Sequence, residues 1–250
     1  MERIGEQLPL PVSLPADETF DSFVAAHNQQ LVTTLRQLCD SAPHWHQQSE
    51  LTTLAGQRLP LISIVGASGR GKSHLLYGVC HRLAERSVSH LYLNLSQTGD
   101  LRPGIFEGLE TLTLVALDNL HAIAGNAQWE EALFHLINRI IDQPGAVLIC
   151  TSQLGAASPQ FHLPDLRSRL QWGTTFQIQS LSDEQRKQAL GLRARQKGLR
   201  FSDSALQFLL HHYDRSLKNL MLLLERLDTR SLQEQKKITV ALVKRELGLD

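Results

Sequence analysis

Eight consecutive residues carry the clearest chemistry in this chain. Gly66-Ala67-Ser68-Gly69-Arg70-Gly71-Lys72-Ser73 follow the pattern G-x-x-x-x-G-K-[ST] in full. Glycines at these positions let successive backbone N–H groups turn inward around phosphate oxygens, and a helix starting near Lys72 adds its positive end. Lys72 is placed to reach the β- and γ-phosphates, and Ser73 to hold Mg²⁺. His74 follows in the first turn and joins the candidate nucleotide-binding set. Downstream, Leu112 to Asp118 (LTLVALD) reads as an apolar strand ending in a carboxylate, and Asp118 is the candidate for the Mg²⁺ shell. The next residue is Asn119, an amide with no basic lone pair to take a proton, so hydrolysis at this site is expected to be slow while binding persists.

Other residues that could do chemistry carry weaker patterns. Cys39, Cys80 and Cys150 are far apart, with no metal-ligand or disulfide spacing, and read as buried free thiols. His44 and His46 flank Trp45 without a third ligand near in sequence. Leu220, Leu223, Leu224 and Leu227 form a helical stripe that reads as core.

The bulk properties bound the functions available. Lys and Arg total 25, as do Asp and Glu, so the formal net charge is zero and no basic surplus marks a dedicated DNA-binding chain. The N-terminus has charges at Glu2, Arg3 and Glu6 and no apolar signal region, and no apolar run approaches the ~18 residues a membrane span needs. A cytoplasmic protein is expected.

The phosphate loop needs a scaffold, and the sequence supplies one. Residues 1–18 contain Pro9, Pro11 and Pro15 and read as an extended tail. A helix is expected from His27 to Leu38, and residues 41–56 read as a connection. Strands are expected at 59–66, 89–95, 112–117, 146–151 and 174–178, with helices at 74–85 and 127–141 between them. That alternation predicts an α/β core with a five-stranded parallel sheet over residues 19–179. From 180 to 250 only helices are expected, at 182–197, 203–212, 216–230 and 239–248, forming a small all-helical lid domain. Ser182-Asp183-Glu184 marks the first of them.

A P-loop, an Asp-ended strand and a helical lid together resemble the AAA+ ATPases. Thr19-Phe20-Asp21-Ser22-Phe23-Val24 is similar to the T-F-x-x-F-V segment of the replication initiator DnaA. Ser168-Arg169-Leu170-Gln171-Trp172-Gly173 is similar to that family's S-R-[FL]-x-W-G segment, and Asp214 to Asp228 resembles its lid. The chain stops after the lid, where DnaA has a further DNA-binding domain. Gln7-Leu8-Pro9-Leu10-Pro11-Val12 resembles the Q-L-x-L-x peptide that docks on the bacterial sliding clamp. The combination, spanning Gln7 to about Leu247, resembles the Hda family of DnaA regulatory inactivators.

The resemblance implies roles residue by residue. Gln7, Leu8 and Leu10 would bind the sliding clamp of DNA polymerase III, so that contact with DNA is mainly indirect. Arg169 would act in trans as an arginine finger on the ATP of DnaA; the plainer alternative is a surface ion pair at a helix end, a role open to Arg167 as well. Lys218 stands where DnaA has a lid arginine touching the phosphates, keeping the charge but not the planar fork. Thr151-Ser152 would be the polar sensor, or a simple strand cap. The cofactor implied is ADP or ATP with Mg²⁺, and self-association is permitted. The expected function is therefore inactivation of DnaA by stimulated ATP hydrolysis. The full P-loop keeps open an autonomous AAA+ ATPase, such as a helicase loader or DNA-transaction helper.

Overall fold

The computed structural model describes residues 14–47, 53–54, 57–58, 60–97, 99, 101–143, 145–199, 201–212, 217–234 and 238–248. In chain order the elements are α1 (Gln29–Ser41), β1 (Thr53–Leu54), β2 (Gln57–Arg58), β3 (Leu61–Val65), α2 (Lys72–Ala84), β4 (His90–Asn94), β5 (Leu114–Asp118), α3 (Ala127–Asp142), β6 (Val147–Ser152), α4 (Pro164–Trp172), β7 (Thr174–Gln177), α5 (Asp183–Gln196), α6 (Asp203–His212), α7 (Leu217–Glu234) and α8 (Val240–Leu247). Short 3₁₀ turns punctuate the connections.

The five expected strands form one parallel sheet in the order β4-β5-β6-β3-β7. Strands β3, β5 and β6 are buried at every position, which is why they read as near-continuous apolar runs. The edge strand β7 alternates with solvent. One face is covered by α1 and α2, the other by α3 and α4. All strands point the same way, so the loops after β3, β5 and β6 emerge together at one sheet end, where open α/β sheets bind ligands.

Two stretches differ from the sequence expectation. Leu14–Glu18, expected as extended, instead turns back: the Glu18 N–H bonds the Pro15 carbonyl at 3.1 Å, and His81 Nε2 meets the same oxygen at 2.9 Å. The connection at 41–56 contains a 3₁₀ helix and β1, which pairs antiparallel with β2 just beyond it. Trp45 within it is fully buried in the α1–α2 core, its Nε1 donating to Ser41 Oγ at 3.2 Å. Helix α4 was legible only through the resemblance, because its hydrophobic signal is confined to Leu166 and Leu170.

The lid has its own core, which includes Leu220, Leu223, Leu224 and Leu227, all buried as the stripe predicted. Its first helix opens with a capping box: Ser182 Oγ accepts from the Gln185 N–H, and Gln185 Oε1 accepts from the Ser182 N–H. The three cysteines are buried, and burial raises Cys39 and Cys80 to about 12 and Cys150 to about 11. They are unreactive thiols at neutral pH.

Candidate nucleotide site

The P-loop spans the gap between β3 and α2. Its shape depends on two glycines. A Cβ on Gly66 would stand 2.5 Å from Ile178 Cγ2, so no side chain fits there. Gly71 has φ +86°, and a Cβ there would approach Phe23 Cε2 to 2.8 Å. The first α2 hydrogen bond runs from the Leu75 N–H to the Gly71 carbonyl, which leaves the N–H groups of Lys72, Ser73 and His74 without an intrahelical partner at the positive helix end.

Lys72 is 6% exposed and folds against its own loop, Nζ donating to the carbonyls of Gly66 at 2.7 Å and Ala67 at 2.9 Å. An ammonium has three protons, so one remains for an anion. Burial lowers the Lys72 pKa, opposed by nearby Asp118. Arg70 instead ties the loop to the core–lid junction, Nη1 donating to the Ile178 carbonyl at 3.0 Å.

Asp118 lies behind the loop at 1% exposure. The parallel register of β5 and β6 brings Thr151 beside it, and Thr151 Oγ1 donates to Asp118 Oδ1. The Asn119 N–H reaches the same oxygen at 3.1 Å, and the Tyr92 hydroxyl donates to Oδ2 at 2.8 Å. Burial, then the Asp118 charge, drives the Tyr92 pKa far upward, so its phenol stays a donor. Three of about four acceptor positions on the carboxylate are filled, leaving one for a metal-bound water. Among the described residues, no group of three or more His, Cys, Asp or Glu side chains could hold a metal by itself.

A cavity of about 390 Å³ lies in front of the loop, between core and lid. Ser68 to His74 form its floor, and Asn119 and Gln153 line it as well. Phe23, Val24, Leu181, Ala189, Met221 and Leu222 supply apolar walls suited to a flat base. Gly66, Ala67 and Asp118 support the site without lining it.

The segment before α1 is strapped to the loop helix. His74 Nε2 lies 2.8 Å from the Thr19 carbonyl and 2.9 Å from Ser22 Oγ, so that nitrogen carries the proton. Burial lowers the His74 pKa, opposed by the Thr19 bond. The Phe23 ring meets His74 edge-on at 5.4 Å. Asn28 clasps Gln179 with two bonds, of 3.2 and 2.7 Å, holding the strap to the start of the lid linker. From the lid, Arg193 Nη1 reaches Asp17 Oδ2 at 2.7 Å, with Glu18 Oε1 3.6 Å from Nη2. Burial raises the Glu18 pKa despite Arg193.

Several sequence expectations are placed differently. Thr151 is fully buried against Asp118, and Ser152 Oγ accepts from the Leu154 N–H at 2.9 Å; neither lines the cavity. Gln153 is the β6-end side chain that does, and its paired contact with His121, Nε2 to Nε2 at 2.8 Å, had no sequence signal. Arg167 and Arg169 part ways. Arg167 Nη1 donates to the Phe161 and His162 carbonyls, whereas Arg169 is exposed and makes no ion pair or hydrogen bond among the described residues. Trp172, three residues on from Arg169 along α4, is 55% exposed. Lys218 falls in α7, but its side chain lies outside the described residues, as do Gln7, Leu8 and Leu10.

This parallel sheet, with a P-loop after β3, an Asp-ended β5 on the far side of β6 and a helical lid, is the AAA+ fold. The fold is similar to domain III of the replication initiation protein DnaA from Thermotoga maritima, with a TM-score of 0.74 at 19% identity, covering 95% of this chain and 98% of that one. It is also similar to AMPPCP-bound DnaA from Aquifex aeolicus, with a TM-score of 0.66 at 16% identity over 89% and 68% of the two chains. The Thermotoga maritima RuvB Holliday junction branch migration motor matches with a TM-score of 0.66 at 16% identity over 93% and 72%. Residues 183–247 match the family model described as the Hda lid domain. The chain thus shares the fold of DnaA domain III, and its helical lid matches the Hda lid model. No helix among the described residues is long and apolar enough to cross a membrane.

Proposed function

We propose that this chain is a nucleotide-binding regulator of replication initiation that docks on the sliding clamp and stimulates ATP hydrolysis by DnaA, switching it off. The observation that carries this reading is the exposed Arg169 on α4, unpaired among the described residues, near an Arg167 already committed to backbone carbonyls. A guanidinium presented this way can neutralise charge developing on a partner's γ-phosphoryl group, an effect worth about 10³–10⁵ in rate in such systems.

The chain's own site serves as a nucleotide-controlled joint. ADP or ATP would lie with its phosphates over the N–H groups of α2 and the remaining Lys72 proton, and its base against the apolar core–lid walls. Mg²⁺ bound with the nucleotide would offset phosphate charge, with Ser73 as a ligand and Asp118 accepting from a metal-bound water. Lys218 would add lid charge near the phosphates. Asn119 is spent on Asn94, which supports weak intrinsic turnover at most.

Gln7, Leu8 and Leu10 would hold the chain on the clamp of DNA polymerase III in the cytoplasm, raising its effective concentration where DNA is being copied. Self-association through Arg169 remains available to the same geometry. Two variants test the division of labour. Arg169→Ala should keep nucleotide and clamp binding while losing stimulation; deletion of residues 1–12 should lose clamp binding while keeping nucleotide binding. Clamp binding that survives the deletion would refute the tail assignment. The competing reading is an autonomous ATPase, favoured by the complete P-loop. Rapid turnover by the isolated chain without DnaA would support it.

A further inference from the structure

Helix α4 begins at a turn whose peptide groups are gripped from both sides. Glu130, on α3, is 0% exposed. Its Oε1 accepts from the N–H groups of Gly125 at 2.6 Å and His162 at 3.0 Å, and its Oε2 accepts from the Leu163 N–H at 2.7 Å. On the opposite polarity, Arg167 Nη1 donates to the Phe161 carbonyl and, at 3.4 Å, to that of His162. Thus, between 161 and 163, a carboxylate takes the N–H groups and a guanidinium takes the carbonyls. Leu163 is the N-cap residue of α4, and Pro164 follows at its first position.

The Glu130 carboxylate is not needed to start its own helix, since Asn126 Oδ1 already accepts from the Trp129 N–H. Nor is it needed to bury α4, which is anchored by Leu166 and Leu170. Its three bonds fix how the turn meets the helix, and so the direction in which α4 leaves the core. Arg169 lies two residues beyond Arg167 on that helix.

We propose that Glu130 and Arg167 form a positioning clamp that aims Arg169 at a partner's phosphates. The proposal rests on the reading of Arg169 as a finger acting in trans. A displacement of the order of 1 Å at such a group can cost about 100-fold in rate, so a locked turn is worth its buried charge.

The test uses the full chain with loaded clamp and ATP-bound DnaA, comparing wild type, Glu130→Gln, Arg167→Lys and Arg169→Ala. Glu130→Gln keeps the shape but turns one acceptor into a donor facing an N–H. Its maximal stimulated rate should fall about tenfold or more, with half-saturation, nucleotide Kd and clamp binding within about twofold of wild type. Amide exchange over 161–169 should quicken while α2 and β3 are unchanged. Arg167→Lys, on a half-buried side chain, should show the same pattern more weakly, and it carries the test if Glu130→Gln does not fold. An unchanged maximal rate, unchanged exchange at 162–163, or a loss that tracks nucleotide binding would each overturn the clamp. Normal stimulation by Arg169→Ala would overturn the finger reading and the aiming role with it, and the exchange data would then show separately whether the turn is held by Glu130.

Discussion

The Asn119 side chain donates from Nδ2 to Asn94 Oδ1 at 2.9 Å, across neighbouring strands β5 and β4. Asn119 itself sits in the left-handed region with φ +61°, a conformation asparagine tolerates better than most residues. The residue that follows Asp118 is therefore both chemically weak as a base and held by a neighbour.

Replacing Asn119 by Asp should supply a basic carboxylate at this position without backbone strain. General-base groups contribute about 10²–10⁴ in rate, so even an imperfectly placed carboxylate should raise intrinsic ATP turnover at least about tenfold. Steady-state hydrolysis by the isolated chain checks this; fast turnover by the wild type would show that Asn119 does not limit it.

The Tyr92–Asp118 bond is expected to matter to stability and to the site together. Tyr92→Phe keeps the ring against Tyr77, 5.1 Å away between centroids, but removes a donor from a buried carboxylate. A loss of about 1.5–3 kcal/mol is expected in denaturant unfolding. A change below about 0.5 kcal/mol would mean that Thr151 and the Asn119 N–H suffice.

Gly71→Ala should lower nucleotide affinity more than it lowers stability. The new Cβ strains a left-handed position and meets Phe23, prying the strap from the loop. The strained position itself costs about 1–2 kcal/mol. Titration with a fluorescent nucleotide should show Kd raised about tenfold or more; wild-type affinity would contradict the loop geometry.

Acid should loosen the strap. His74 is held neutral in the fold by burial, with its pKa below the ordinary 6.5, and His121 shifts the same way by burial and the nearby Lys72 charge. The unfolded chain therefore binds more protons once the pH falls below about 6.5, and stability declines from there downward. Glu18, raised above 4.5, works in the opposite sense near its own range. Thermal unfolding between pH 7.5 and 5.5 should show a falling Tm that flattens in His74→Gln. A profile of unchanged slope in that variant would remove His74 as the cause.

What the sequence made legible was local. The P-loop, the Asp-ended strand β5 and the lid stripe each declare themselves through spacing within a dozen residues, and the buried parallel strands through near-continuous apolar runs. What stayed hidden depends on contacts between distant residues. Glu130 looks like any exposed helical glutamate until the fold brings His162 and Leu163 to it. Tyr92 and Thr151 become partners of Asp118 only through strand order and register. Gln153 displaced Thr151-Ser152 as the cavity-lining polar residue because Thr151 is engaged by Asp118 on the neighbouring strand and Ser152 by the Leu154 N–H, while Gln153 lies just past the strand end. The Thr19–Val24 segment was recognisable by likeness, yet its physical task of bracing Gly71, His74 and Gly78 is visible only in three dimensions.

The central claim is that Arg169 acts on another molecule's nucleotide. Single-turnover hydrolysis of labelled ATP preloaded on DnaA, with clamp on DNA and this chain in excess, tests it most directly. Wild type should accelerate hydrolysis, and Arg169→Ala should lose at least about 10²-fold of the stimulated rate while Arg169→Lys recovers little. Equal acceleration by wild type and Arg169→Ala would contradict the account.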